Sequence, residues 1–469
     1  MKIIRTALAV AALGGLAGAL PAWGQTNPPP QSTLTLQLAD FTPVGRNVAQ
    51  ELAAKEFEKV PADFNDDLKK RITPAILEQS WNKLLDIAGQ FQKVGEALQV
   101  ERQGMQFVRV ELVFERASMY LRMGMDADGK IAGMRFEPTD ATTPWAAPDY
   151  AQVIKFHEES VTVGAAPWDL PGTLTLPTGA GPFPAVVLVP GSGPEDQDES
   201  IGPNKMFKDI AWGLATQGVA VLRFVKRTRA HGKEIGAGNL PITVKEEEID
   251  DARAAVTLLA ARQDIDAKHI YIAGHSLGGY LAPRIAKGDA QIAGLIILAG
   301  NTRPIEDLIV DQVKYEAALN GPVTPDGQKA IDQATKDAQA VEDPNLKPGT
   351  IVHLLGDSLS SDYLLDLRDY HPADVAATLG IPMYVLQGER DYQVTMTDFN
   401  GWKKTLANKP GVSFKTYPAL SHYFMPGTGP GSPADYLKAN HVEPDVVTDI
   451  ASWVKSQSPA AAGAAASQE

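Results

Sequence analysis

Ser276 stands in a setting suited to nucleophilic chemistry. Gly274-His275-Ser276-Leu277-Gly278 follows the apolar stretch Ile270-Tyr271-Ile272-Ala273 and precedes Leu281 to Lys287, a helical stretch closed by Gly288. A serine between a strand and a helix must sit on a sharp turn that lifts its hydroxyl above the end of a sheet. The glycines two before and two after it are required because side chains there would strike neighbouring backbone. The helix that starts at the serine turns its first N–H groups toward developing negative charge. The pentapeptide alone arises by chance in a glycine-rich chain. Its placement between strand and helix is what predicts a nucleophile at Ser276.

A serine nucleophile needs a base, and after such a turn the order along the chain is serine, acid, histidine. Of eight histidines, only His422 and His441 follow the C-terminal strands. His422, in Leu420-Ser421-His422-Tyr423-Phe424, comes directly after the strand pattern Val412 to Tyr417 and is the expected base. His441 precedes the final helix and reads as a helix-entry residue. The acid should lie after Met383 to Leu386, where Glu389 and Asp391 both qualify by type. Asp391 is farther into the loop and can turn inward to His422, whereas Glu389 faces Arg390 or solvent. Its task would be to fix the imidazole tautomer. Two backbone donors for an oxyanion are expected at Leu277 N–H and Ser192 N–H, the latter in the loop Pro190-Gly191-Ser192-Gly193-Pro194.

Other polar groups carry less. Glu195, Asp196, Asp198 and Glu199 could be a metal-binding carboxylate cluster but read as a solvated acidic loop. Lys226-Arg227 reads as a structural ion pair rather than an anion site. H-E-x-x-H and G-x-x-x-x-G-K-[ST] are absent, so no metal and no cofactor is expected.

The elements that must position these residues fall into two blocks within 469 residues, 44% apolar and 21% charged. From 48 to 138 a helical front half (Pro74 to Ile87 places Ile76, Leu77, Trp81, Leu84 and Leu85 on one face) gives way to period-two strands. There Val108, Val110, Leu112 and Phe114 alternate with Arg109, Glu111, Val113 and Glu115. This predicts a small α+β domain. Residues 139–153 read as a linker. From 154 to 456, apolar runs such as Ala185 to Val189 and Ala220 to Phe224 alternate with helical patterns, which predicts a mostly parallel sheet flanked by helices. The alternation lapses over about 302–380, too long for an ordinary connection, and a helical lid insertion is expected there.

Both ends read as lying outside the fold. Lys2 and Arg5, the apolar stretch Thr6 to Leu20 and Ala22-Trp23-Gly24 form an export signal over residues 1–24, with cleavage ahead of Gln25. A flexible leader (25–47) and a disordered tail (457–469) complete the expected order. The apolar stretch is short for a bilayer span, and none remains after signal cleavage. Net charge of -14 and the lack of a dense basic stripe argue against nucleic acid. With no cysteine, disulfides and thiolate nucleophiles are excluded.

Taken together, Pro190 to Pro194 running into Ile201-Gly202-Pro203-Asn204-Lys205, Gly274 to Gly279, Gln387 to Val394 and Leu420-Ser421-His422 resemble the α/β-hydrolase superfamily. More closely, the chain is similar to dienelactone-hydrolase-like bacterial esterases that carry a small N-terminal DUF3887-type domain. The match spans nearly all of the later block; in the earlier one it rests on helices-then-strands order. Relatives often have an acid where this chain has Val225. The resemblance implies a secreted carboxylesterase or acyl hydrolase, periplasmic or extracellular, with a small-molecule ester as substrate. The same apparatus would serve a peptidase, thioesterase or acyltransferase. A binding protein on a degenerate scaffold is disfavoured, because Ser276, Asp391 and His422 are all present. Trp81 and Trp145 are available aromatics for a polysaccharide ligand, although core packing accounts better for Trp81.

Overall fold

The strand Phe183–Val189 sets the centre of the larger sheet. Ala185 to Val189 are all fully buried, as an uninterrupted apolar run must be when helices cover both faces of a sheet. In the computed structural model, which describes residues 40–102, 105–139, 145–237, 242–354 and 357–457, this strand lies in an eight-stranded sheet. In chain order the strands are β1 (Phe156–Val163), β2 (Leu170–Pro177), β3 (Phe183–Val189), β4 (Ala220–Phe224), β5 (Ile265–His275), β6 (Ile292–Leu298), β7 (Met383–Gly388) and β8 (Val412–Tyr417). Across the sheet they run β8-β7-β6-β5-β3-β4-β2-β1. From β4 to β8 all neighbours are parallel, while β1, β2 and β4 pair antiparallel at one edge. The fold is the expected α/β sheet with helices on its faces, and the antiparallel edge is an addition.

Helix Asp250–Ala260 shows how the faces are closed. Ala252, Ala255, Val256 and Leu259 recur at helical spacing and are buried in the same cluster as Val187, Val189 and Leu222. Each such large aliphatic side chain contributes about 1.5–3 kcal/mol of burial.

Two compact units are present: Trp145–Asp435 with the chain from Asn440 onward, and the chain up to Pro144 with Tyr436–Ala439. In the smaller unit, helices Thr42–Ala53, Asp66–Arg71 and Pro74–Ala88 precede a four-stranded antiparallel meander. Trp81 is 1% exposed, with the rings of Phe91, Phe114 and Phe136 centred 5.5, 5.6 and 6.4 Å away. It is a core residue, not a ligand platform. The helix from Thr42 corrects the expected extent of the leader: Val48, Ala49 and Leu52 bury one face, and the turn before them is already helical. The strand Phe91–Arg102 was not legible in sequence, because its polar composition and two register shifts erase the alternation.

The back half of the expected linker is packed, not free. Trp145 donates its indole N–H to Asp209 at 2.9 Å and meets Trp212 edge-on at 4.9 Å. The export signal, the front of the leader and the tail beyond Gln457 lie outside the described residues. Among the described residues, no helix is long and apolar enough to cross a membrane.

The insertion holds helices Ile305–Ala318, Pro325–Glu342, Ser361–Leu367 and Pro372–Thr378, and also a hairpin of Ile351–Leu354 with Asp357–Ser360 that the helical expectation lacked. Helix Ile305–Ala318 is fixed to the loop after β7. Gln312 donates to the Gln393 carbonyl at 3.0 Å, and Tyr315 stacks on Tyr392 at 5.3 Å. Tyr280 and Tyr370 exchange hydroxyl-to-carbonyl bonds, both 2.9 Å, which fastens the end of the insertion to the helix after β5.

Candidate active site

Strand β5 ends at His275, and helix Leu277–Ala286 begins two residues later. Ser276 alone makes the turn, at φ 52° and ψ -115°, a conformation that costs a non-glycine residue about 1–3 kcal/mol and persists only when its surroundings dictate it. Those surroundings are the glycines. A Cβ on Gly274 would lie 2.2 Å from the Gly278 carbonyl oxygen, and one on Gly278 would lie 2.3 Å from that of Val189. The Ser276 N–H donates to Leu298 O at 2.9 Å, tying the turn to β6. Ser276 is half-buried, and Leu277 opens the helix, so its N–H has no helical carbonyl to bond.

His422 and Asp391 come from the loops after β8 and β7. These loops approach closely because Gly388 has no side chain; a Cβ there would sit 2.4 Å from Leu420 O. Asp391 Oδ2 lies 2.6 Å from His422 Nδ1, with the two residues 5% and 3% exposed. The same carboxylate accepts the N–H groups of Gln393 and Val394 at 2.8 and 2.9 Å and the Gln387 amide at 3.0 Å. Surrounded by donors, the carboxylate accepts the hydrogen bond of His422 Nδ1–H, an arrangement that orients the ring and turns Nε2 away from Asp391. Of the rivals, Glu389 is exposed and accepts the Thr416 hydroxyl at 2.7 Å, while His441 pairs with Asp209 at 3.1 Å ahead of the last helix.

The loop after β3 lies against Ser276: a Cβ on Gly191 would be 3.3 Å from Ser276 Cβ. Ser192 follows it, half-buried. The Gly191 N–H is taken by Glu199 Oε1 at 2.7 Å. That oxygen also lies 2.8 Å from His275 Nδ1, and His275 Nε2 bonds the His422 carbonyl at 3.0 Å. Glu199 thus links the loop after β3 to the Ser276 turn and, through His275, to the His422 loop.

The acidic loop is therefore not solvated. Glu199 is 2% and Asp198 7% exposed, and Asp198 accepts from Arg223 and Lys205 at 2.7 Å each. Burial, with the charge of Glu199, pushes Glu195 up to about 8. Burial works against charge on His275, but Glu199 outweighs it and holds the imidazole pKa above its usual value. Sequence reasoning missed Glu199, His275 and Gln387. His275 lies within the serine motif, but its contact with Glu199 spans 76 residues, and nothing local marks either. Lys226 and Arg227 are indeed ion-paired, to Glu248 and Asp251. Among the described residues, no group of three or more acidic or histidine side chains is placed to hold a metal.

A family model described as protein of unknown function (DUF3887) matches residues 46–134, and one described as serine aminopeptidase, S33, matches residues 203–426. Esterase EstD of Thermotoga maritima is 35% identical over 405 residues, which cover 86% of this chain and 93% of that protein. Among solved structures, Est1E from Butyrivibrio proteoclasticus matches at 16% identity and TM-score 0.41, over 64% of this chain and 98% of that one. The Pyrobaculum calidifontis esterase matches at 16% identity and TM-score 0.43, over 65% and 87%.

Proposed function

The chain belongs to the esterases of the α/β-hydrolase family, with a DUF3887-type domain on its N-terminal side, and on that premise we propose that it is an exported serine carboxylesterase working through an acyl-enzyme on Ser276. Ser276 Oγ attacks the ester carbonyl as His422 takes its proton at Nε2. The N–H groups of Leu277 and Ser192 hold the oxyanion, and the alcohol leaves with the proton from His422. Water, deprotonated by the same Nε2, then releases the acid.

One observation carries this reading: the 2.6 Å contact between Asp391 Oδ2 and His422 Nδ1, both buried, with the His422 carbonyl bonded at 3.0 Å to His275, the residue before Ser276. Short-to-medium acyl esters are the substrates we assign. The insertion acts as a lid, since its leading helix rests on the Asp391 loop through Gln312 and Tyr315. Export rests on the charged, apolar and small-residue order of residues 1–24.

The test is hydrolysis of p-nitrophenyl acetate, butyrate and decanoate by the mature protein and by Ser276→Ala. Turnover of the short esters that disappears in Ser276→Ala supports the reading. Turnover that survives the substitution, or none on any ester, defeats it. A peptidase reading has the S33 description behind it, over less than half of the chain. Leucine p-nitroanilide cleaved faster than the esters would favour it.

A further inference from the structure

Lys226, two residues past the end of β4, is fully buried. Taking an ammonium out of water costs several kcal/mol after relaxation, so its surroundings must supply charge and hydrogen bonds. They do so on two sides. Glu248 Oε1 lies 2.5 Å and Glu247 Oε1 3.7 Å from Nζ, and Glu247 in turn accepts the Tyr363 hydroxyl at 2.8 Å. The two consecutive glutamates are both buried and lie within Lys245–Ile249, a π-helical turn, a local departure often found at functional sites. Burial works against the Lys226 charge, but Glu247 and Glu248 outweigh it and hold its pKa above the usual lysine value, while burial pushes Glu248 itself up to about 8.

On its other side, Lys226 Nζ donates to the Gly191 carbonyl at 2.8 Å. That oxygen belongs to the peptide bond whose N–H is Ser192's. In a planar trans peptide, C=O and N–H point in opposite directions, so fixing one aims the other. The neighbouring peptide plane is fixed as well, through the Gly191 N–H on Glu199. A cationic donor on the carbonyl also polarises the amide and strengthens its N–H.

We propose that Lys226, held by Glu247, Glu248 and the insertion's Tyr363, is a positioning residue for acyl transfer: it aims the Ser192 N–H at the oxygen that becomes negative when Ser276 attacks. The proposal rests on the serine-esterase reading above. It predicts loss of transition-state stabilisation with little change in ground-state binding.

Removing Lys226 alone would leave two buried glutamates without their partner. The variant to make is therefore Lys226→Met with Glu247→Gln and Glu248→Gln, with folding checked by circular dichroism. With p-nitrophenyl butyrate, kcat should fall about 100-fold, as for a lost oxyanion donor, while KM stays within about twofold. A trifluoromethyl ketone, which forms an anionic adduct with the serine, should lose affinity by a similar factor. The matching secondary alcohol, which forms no oxyanion, should not. A folded variant with unchanged kcat, or equal loss for ketone and alcohol, overturns the proposal. If the triple variant does not fold, Tyr363→Phe decides: a several-fold loss of kcat matched by the ketone is expected, and no change overturns the idea. Labelling of wild-type Ser276 by a fluorophosphonate separates the two levels. If it is absent, the serine reading itself has failed; if it is present beside an unaffected Lys226 variant, only this proposal has.

Discussion

His275 Nδ1 and Glu199 Oε1 lie 2.8 Å apart, with the side chains 1% and 2% exposed. The pair joins the residue before Ser276 to the loop that flanks it, and the far side of the imidazole holds the backbone of His422. A buried ion pair of this kind adds little net stability, because desolvation offsets attraction. Breaking it is costly, because one charge is then left alone.

Glu199→Ala should therefore destabilise the protein by about 3–5 kcal/mol, measured by urea unfolding. Glu199→Gln keeps an acceptor for the Gly191 N–H and should cost less, about 1–3 kcal/mol. Equal stability of Glu199→Ala and wild type would mean that the pair does not hold these loops.

The same pair makes stability depend on pH. The native His275 pKa is raised above its unfolded value of about 6.5, so its contribution is full below that value and is lost as pH rises through the native pKa. The Tm gap between wild type and Glu199→Gln should be widest near about pH 6 and narrow on the alkaline side. A gap that widens with rising pH would contradict a charged His275.

Asp391→Asn should lower kcat on p-nitrophenyl butyrate by about 10⁴-fold, because the amide presents a donor to Nδ1 and favours the wrong tautomer. Glu389→Gln, at the exposed rival position, should stay within about twofold of wild type. Reversed effects would exchange the two acids.

Gly388→Ala tests the approach of the two loops without touching a reacting group. Its Cβ would meet Leu420 O at 2.4 Å and Ser421 O at 2.6 Å, so the His422 loop must shift. Displacement on the ångström scale should lower kcat about 100-fold. Wild-type kcat in Gly388→Ala would show that the loop spacing is not limiting.

How much of this was legible in the chain follows from distance along it. The serine turn is local: an apolar strand, two steric glycines and a helix are all written within about fifteen residues. The pairing of His422 with Asp391 was legible because each follows directly on a central strand, and the burial of Trp81 because helical spacing placed it in a core. The burial of Glu199 and the bond from Lys226 to the Gly191 carbonyl were not. Glu199 sits in an acidic stretch whose composition suggests solvation, and Lys226 has the local sequence of any lysine at a strand end. Their burial depends on partners such as His275 and Glu248, which only the folded chain brings near. The strand Phe91–Arg102 and the hairpin in the insertion were hidden for a related reason, since neither carries a clean apolar alternation.

The central claim is that Ser276 is the nucleophile and His422 its base. Its most direct test is mass spectrometry of tryptic peptides after treatment with a fluorophosphonate. One adduct per chain, on the peptide containing Ser276, is expected in wild type, with a rate of labelling reduced by orders of magnitude in His422→Ala. An adduct on another residue, or labelling as fast without His422, would contradict it.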